Sequence, residues 1–224
     1  MQPDSPGSVY QSCTFRRFGC LRCEAPRVCL EHEPYETGIR IARLAFGNHT
    51  MNAVAASLPA CVVVVMGVSG SGKTLVATLL AERLDSEFAD ADAFHSAASL
   101  HKLRSGNPLT DRDRGPWLRA LAAWIDAVCS EGKRGVLACS ALKRSYRETL
   151  TAGRDGVRLV YLKGDAELIA RRMKQRHGHF MPSALLQSQL DTLEEPQADE
   201  NPIVVSIDTD PGEIVAEIIA ELEK

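Results

Sequence analysis

Eight residues, Gly67-Val-Ser-Gly-Ser-Gly-Lys-Thr74, fit the pattern G-x4-G-K-[ST] in full. They follow a continuous apolar run, Cys61 to Met66, of the kind found in buried parallel strands. They precede Lys73 to Leu84, where Val76, Leu79, Leu80 and Leu84 recur on one helical face. A strand, a glycine-rich turn and a helix in that order form a cradle for phosphate. Successive backbone N–H groups curl around the anion, and the helix N-terminus adds its positive dipole end. Gly67, Val68, Ser69, Gly70, Ser71, Gly72, Lys73 and Thr74 are therefore the candidate nucleotide-binding residues. Lys73 is placed to reach the β- and γ-phosphates, and the Thr74 hydroxyl to meet Mg²⁺.

The chain beyond this loop alternates short β-branched runs with longer helical stretches. Glu87–Ala91, Val136–Cys139, Val157–Leu162 and Ile203–Ile207 read as strands. A helix is expected to begin at Pro116, since proline is tolerated in a first turn, with Trp117, Leu121, Trp124, Ile125 and Val128 on its apolar face. Ala166–Arg176 and Glu213–Glu223 read as further helices, the last burying Ile214, Val215, Ile218, Ile219 and Leu222. Alternating strands and helices imply an α/β fold with a parallel sheet covered on both faces.

In such a sheet the C-terminal strand ends face the ligand crevice. Asp90-Ala-Asp92 follows the second expected strand, and strand alternation would turn both carboxylates to one side. One aspartate is suited to hold Mg²⁺ through water, and the other to orient or deprotonate an acceptor hydroxyl. No N-K-x-D guanine motif is present, and the organised part of the chain is short for a motor ATPase. A kinase of small metabolites fits best.

Residues 1–58 are different in character. They hold arginine but no lysine, scattered Pro and Gly, and no sustained apolar period, and are expected to be an irregular extension outside the kinase domain of 59–224. All recognisable organisation follows Met51, so Met51 is expected to be able to serve as an alternative start. Cys20-x2-Cys23, with Cys13, Cys29 and His32 nearby, offers one close pair but no second knuckle for zinc. Cys61, Cys129 and Cys139 stand singly in apolar stretches and are expected to pack as small core hydrophobes, unpaired. The net charge of −3 argues against a nucleic-acid partner. No apolar run approaches the roughly 20 residues of a membrane span, and no apolar export signal opens the chain, so a cytoplasmic location is expected.

Further segments carry a resemblance. Asp90-Ala-Asp-Ala-Phe-His95, Lys102, Ser105-Gly-Asn-Pro-Leu-Thr-Asp-Arg-Asp-Arg-Gly-Pro-Trp-Leu118, Cys139-Ser-Ala-Leu-Lys-Arg-Ser-Tyr-Arg147, Tyr161-Leu-Lys-Gly-Asp165, Arg176-His-Gly-His-Phe180 and Leu193-Glu-Glu-Pro196 follow the phosphate loop in order. Over residues 60 to 222 the chain resembles the gluconokinase family of shikimate-kinase-like P-loop kinases. The resemblance implies a P-loop NTPase fold, with five parallel strands and a small lid. The implied reaction is ATP plus D-gluconate giving 6-phospho-D-gluconate and ADP, with Mg²⁺ as cofactor and neither nucleic acid nor membrane as partner. A homodimer is allowed for.

The resemblance further implies that Lys73, Asp92 and the lid arginine Arg176 are catalytic, that Arg172 joins the nucleotide site, and that Asp90 with Thr74 serves Mg²⁺. Asp92, His95, Lys102, Arg114, Ser140, Lys143 and Arg147 fall on the substrate side. For Arg147 the helix–sheet interface is an equal alternative. Arg114, on an expected mixed-charge loop with Asp111 and Asp113, offers a guanidinium fork to the sugar-acid carboxylate. The chain departs from the family at Ser96, where proline is usual, at Ser99, where asparagine is usual, and at Ala91, often glycine. These departures lie on the acceptor side. Other small hydroxy or sugar acids, such as shikimate, and a nucleotide-binding regulatory module are the competing readings.

Overall fold

The computed structural model describes residues 60–105, 107–175 and 183–224. The expectations for residues 1–58, including the cysteine pair Cys20 and Cys23, lie outside them, as do Arg176 and the segment that follows it.

Five strands form one sheet: β1 (Val62–Met66), β2 (Glu87–Asp90), β3 (Gly135–Ala138), β4 (Val157–Lys163) and β5 (Ile203–Ser206). Their order is β2-β3-β1-β4-β5, and every pairing is parallel. The central strand β1 is wholly buried, so its sequence is apolar throughout rather than alternating. Val63 and Val65 face one core and Val62, Val64 and Met66 face the other. On the first face pack α1 (Lys73–Arg83) and the C-terminal helix; on the second pack the long helix before β3 and the helix after it.

The remaining helices are α2 (Ala97–Arg104), α3 (Asp111–Ser130), α4 (Arg144–Thr151), α5 (Ala166–Gln175), α6 (Ser183–Thr192) and α7 (Pro211–Leu222). The apolar face expected of α7 is present, with Ile214, Val215, Ile218 and Leu222 buried. Helix α6 has no counterpart in the sequence reading.

Three expectations about this framework are corrected. Helix α3 starts at Asp111, not Pro116. Thr110 caps it: its side chain accepts from the Asp113 N–H while the Asp113 carboxylate accepts from the Thr110 N–H. This reciprocal capping box outweighs the proline, which removes one N–H inside the helix. Asp111, Asp113 and Arg114 therefore stand in a helical first turn and not on a loop.

The second correction concerns cysteine. Cys139 is a buried free thiol, as expected, but Cys61 and Cys129 form a disulfide. Their Cα atoms are 5.4 Å apart, because the end of α3 returns beside the start of β1. Third, β2 ends at Asp90, and Ala91–Phe94 forms a 3₁₀ turn. Asp92 owes its position to that turn rather than to strand alternation.

Among the described residues, no helix is long and apolar enough to cross a membrane.

Candidate active site

The phosphate loop leaves β1 at the C-terminal edge of the sheet. Gly70 has φ +86°, and a Cβ there would lie 2.7 Å from Met173 Cγ and 3.1 Å from Ile169 Cγ2. Both positive φ and close approach of α5 require glycine. Gly72 has φ +95° and is the N-cap of α1 without any side-chain capping bond. The first-turn N–H groups of α1 thus face the cradle rather than a capping side chain. Ser71 Oγ is buried with no hydrogen-bond partner in the described structure, another polar atom suited to a phosphate. Lys73 Nζ lies 3.1 Å from the Val68 carbonyl oxygen, folded back along the loop.

Thr74 Oγ1 donates to Asp90 Oδ2 at 3.2 Å, which joins the start of α1 to the end of β2. Asp90 Oδ1 accepts from the Asp92 N–H at 3.0 Å. A hydroxyl and a carboxylate at the loop's rim form an all-oxygen set suited to Mg²⁺ held through water. Asp92 sits beyond them. Desolvation, and then the negative charge of Asp90, push its carboxyl above the ordinary aspartate range, against the pull of His95 and Lys73. A carboxylate whose pKa is raised in this way is a better proton acceptor than one at the ordinary aspartate value.

His95 stacks on Trp117, with ring centroids 4.8 Å apart and planes 11° from parallel. Trp117 Nε1 donates to the Ala91 carbonyl at 2.7 Å, so the indole supports the turn that carries Asp92. Burial lowers the His95 pKa, the Asp92 charge opposes this, and Arg114 adds to it. The imidazole is therefore neutral near pH 7, and its Nδ1 is buried without a partner.

A cationic cluster faces this region. Arg114 Nη1 donates to Tyr146 Oη at 3.3 Å and lies 3.8 Å from Asp111. Lys143 Nζ bonds Asp111 at 2.8 Å and sits 5.6 Å from the Tyr146 ring centre. Tyr146 Oη donates to Asp111 Oδ1. Lys143 and Tyr146 together hold the Asp111 carboxyl below its usual value. Lys102, on α2, bonds Asp113 at 2.6 Å and is engaged in the cap of α3. Ser140 borders the phosphate loop, its carbonyl accepting from the Gly67 N–H at 3.4 Å.

Arg147 is corrected outright as a substrate residue. It is 1% exposed and every arm is occupied. Nε and Nη2 grip Glu200 at 2.5 and 2.9 Å, while Nη1 donates to the carbonyls of Ala141, Leu142 and Glu194. Ala141, with φ +43°, is a non-glycine residue in the left-handed region. Arg147 is thus the internal brace of the 139–143 loop, the interface role rather than the ligand role.

On the opposite side of the phosphate loop a cleft of about 270 Å³ is lined by Gly72, Leu75, Val76, Arg172, Pro211 and Ile214. Leu75 is half exposed there, and Arg172 donates to the Ile207 carbonyl at 2.6 Å.

The sequence reading missed Tyr146, which joins Arg114 to Lys143, and Gln189. The side-chain amide of Gln189 accepts from the Ser69 N–H at 2.6 Å and donates to Ser69 Oγ at 2.9 Å. Tyr146 stands within the 139–147 segment that carries the family resemblance; Gln189 lies on a helix with no clear apolar period in the sequence.

Comparison with known proteins gives one consistent result. A family model described as an AAA domain matches residues 62–196. A gluconokinase of Gluconobacter oxydans is 46% identical over 160 residues, covering 71% of this chain and 90% of that protein. Among solved structures, a sugar kinase of Janibacter sp. is 48% identical, with TM-score 0.69, over 74% of this chain and 95% of that one. A gluconokinase from Sinorhizobium meliloti is 43% identical, with TM-score 0.67, over 74% of this chain and 92% of that one.

Proposed function

The chain belongs to the gluconokinase family, and from that premise we infer that Asp92 and Lys73, with the cations around Tyr146, transfer the ATP γ-phosphoryl group to the 6-hydroxyl of D-gluconate. It is an ATP-dependent carbohydrate kinase that phosphorylates gluconate. The observation that carries the assignment of roles is the position of Asp92. It is a carboxyl of raised pKa next to Asp90 at the rim of the phosphate loop and near His95, which in turn feels the charge of Arg114.

In this reading the N–H groups from Gly70 to Thr74 cradle the polyphosphate, and Lys73 swings its ammonium from the Val68 carbonyl to the transferring phosphoryl oxygens. Leu75, Pro211 and Ile214 take the flat base, and the Arg172 guanidinium covers it. Thr74 and Asp90 hold Mg²⁺, which supplies charge neutralisation for the polyphosphate when bound. Arg114 and Lys143 take the gluconate carboxylate, the first as a fork and the second as a point charge. Neutral His95 meets a gluconate hydroxyl through its ring nitrogens. Asp92 orients the acceptor hydroxyl and accepts its proton as the O–P bond forms.

A coupled assay of ADP release tests this, with gluconate, other sugar acids and shikimate as acceptors. Gluconate-dependent turnover is expected, and Lys73→Ala should abolish it while thermal unfolding stays unchanged. Acceptor-independent hydrolysis, or preference for another acid, would overturn the reading.

A further inference from the structure

Ser69 is the third residue of the phosphate loop, and it is grasped from a helix 120 positions away in the chain. Gln189 on α6 meets it twice: Oε1 accepts the Ser69 N–H at 2.6 Å, and Nε2 donates to Ser69 Oγ at 2.9 Å. A primary amide presents an acceptor and a donor side by side, which suits this pair of contacts. The first bond is short and the second of ordinary length, and Gln189 is half-buried, which limits competition from water.

The neighbouring contacts give the pair its consequence. Immediately after Ser69, Gly70 lies under Met173 and Ile169 of α5. One residue on, the Ser71 N–H closes the turn onto the Val68 carbonyl at 3.2 Å. The first half of the phosphate loop is therefore held between α5 on one side and α6 on the other. Its second half is fixed by α1. Without Gln189, Ser69 would lose both of its side-chain-mediated hydrogen bonds among the described residues, and the turn from Val68 to Ser71 would keep the Ser71 N–H bond and the Lys73 Nζ bond, both to the Val68 carbonyl.

The chain that follows α6 extends the linkage. The Glu194 N–H donates to the Leu142 carbonyl at 2.9 Å, and Glu194 Oε2 accepts from the Arg144 N–H at 2.6 Å. The element carrying Gln189 is thus tied at its far end to the 139–143 loop, so Gln189 has a firm base from which to hold Ser69.

We propose that Gln189 is a positioning residue for the phosphate loop, holding Ser69 by its N–H and Oγ so that the loop is preorganised for the triphosphate of ATP. The proposal rests on the reading of Gly67 to Thr74 as the ATP site. Gln189 itself touches no reacting atom. Its contribution is to reduce the ordering that binding must otherwise impose on the loop.

The test uses the full chain and measures nucleotide affinity directly by calorimetry, without acceptor, alongside steady-state kinetics. Gln189→Met keeps the side-chain length and loses both bonds. It should weaken ATP binding roughly 10-fold, as expected for two net hydrogen bonds of modest worth, while the gluconate KM stays within about twofold. Ser69→Ala removes one leg of the clasp. In that background Gln189→Met should cost clearly less than in the parent, because the two substitutions disrupt one interaction.

A Gln189→Met protein with parental ATP affinity and only a lower melting temperature would overturn the proposal and leave Gln189 as packing for α6. Full additivity of the two substitutions would overturn it too. A parent that binds ATP but ignores gluconate would sink the acceptor assignment alone, since the calorimetric comparison still decides the role of Gln189.

Discussion

Replacing Arg147 separates a structural brace from a substrate ligand. The guanidinium is 1% exposed and its partner Glu200 is 10% exposed, so the pair is shielded from water. Arg147→Ala leaves a buried carboxylate without its cation and withdraws the donor from the carbonyls of Ala141, Leu142 and Glu194. Breaking one side of a buried pair costs about 3–5 kcal/mol. For a domain of this size that lowers the melting temperature by roughly 6–20 °C. Arg147→Lys keeps the charge but cannot fork to Glu200 and also reach the carbonyls, so an intermediate loss is expected.

The pH dependence has a defined sign. Arg147, first among the causes, holds the Glu200 carboxyl below its ordinary value of 4.5. Its contribution is therefore present above that value and is lost as pH falls through the lower folded pKa. The parent should lose this increment in acid, and Arg147→Ala should lack it at every pH. Denaturant unfolding at pH 7 and in acid reads both quantities, with gluconate KM measured on Arg147→Lys. A variant of parental stability whose gluconate KM rises steeply would refute the brace and return Arg147 to the substrate.

Asp92→Asn should lower kcat by roughly 10²-fold or more, the usual worth of a positioned base, with little change in ATP affinity. Because the folded pKa of Asp92 is raised, its ionised form destabilises the fold at neutral pH, so the same variant should melt slightly higher than the parent. The acid limb of kcat/KM should stand above the ordinary aspartate value of 3.8, and Asp90→Asn should move it down by removing the second-largest cause of the shift. Arg114→Lys should raise gluconate KM about 10- to 150-fold, the worth of one charge-assisted bond, with ATP KM nearly unchanged; the opposite bias would reverse the assignment. Reducing the Cys61–Cys129 disulfide, whose cysteines are 68 positions apart, should cost about 4 kcal/mol in a chain-entropy account while leaving both KM values in place, because the bridge lies at the sheet edge opposite the phosphate loop. Reduction that alters KM but not stability would contradict that placement.

Local chemistry made the phosphate loop, the buried strand before it and the apolar faces of α1 and α7 readable along the chain. Each is set by near neighbours: a glycine backbone, a continuous apolar run, a 3.6-residue period, a helix N-terminus. Even the start of α3 had a local signature, Thr110 three residues before Asp113, though Pro116 drew the boundary inward. Arg147 is different. Nothing adjacent to it reveals that Glu200 arrives 53 residues later to occupy its guanidinium. Cys61 and Cys129 look like two isolated apolar residues until α3 returns beside β1. Gln189 stands in a stretch with no helix assigned from sequence until α6 lies against Ser69. The order β2-β3-β1-β4-β5 decides these meetings, because folding into that order brings side chains from distant segments to one crevice. There, burial and charge settle whether an arginine braces a loop or awaits a substrate.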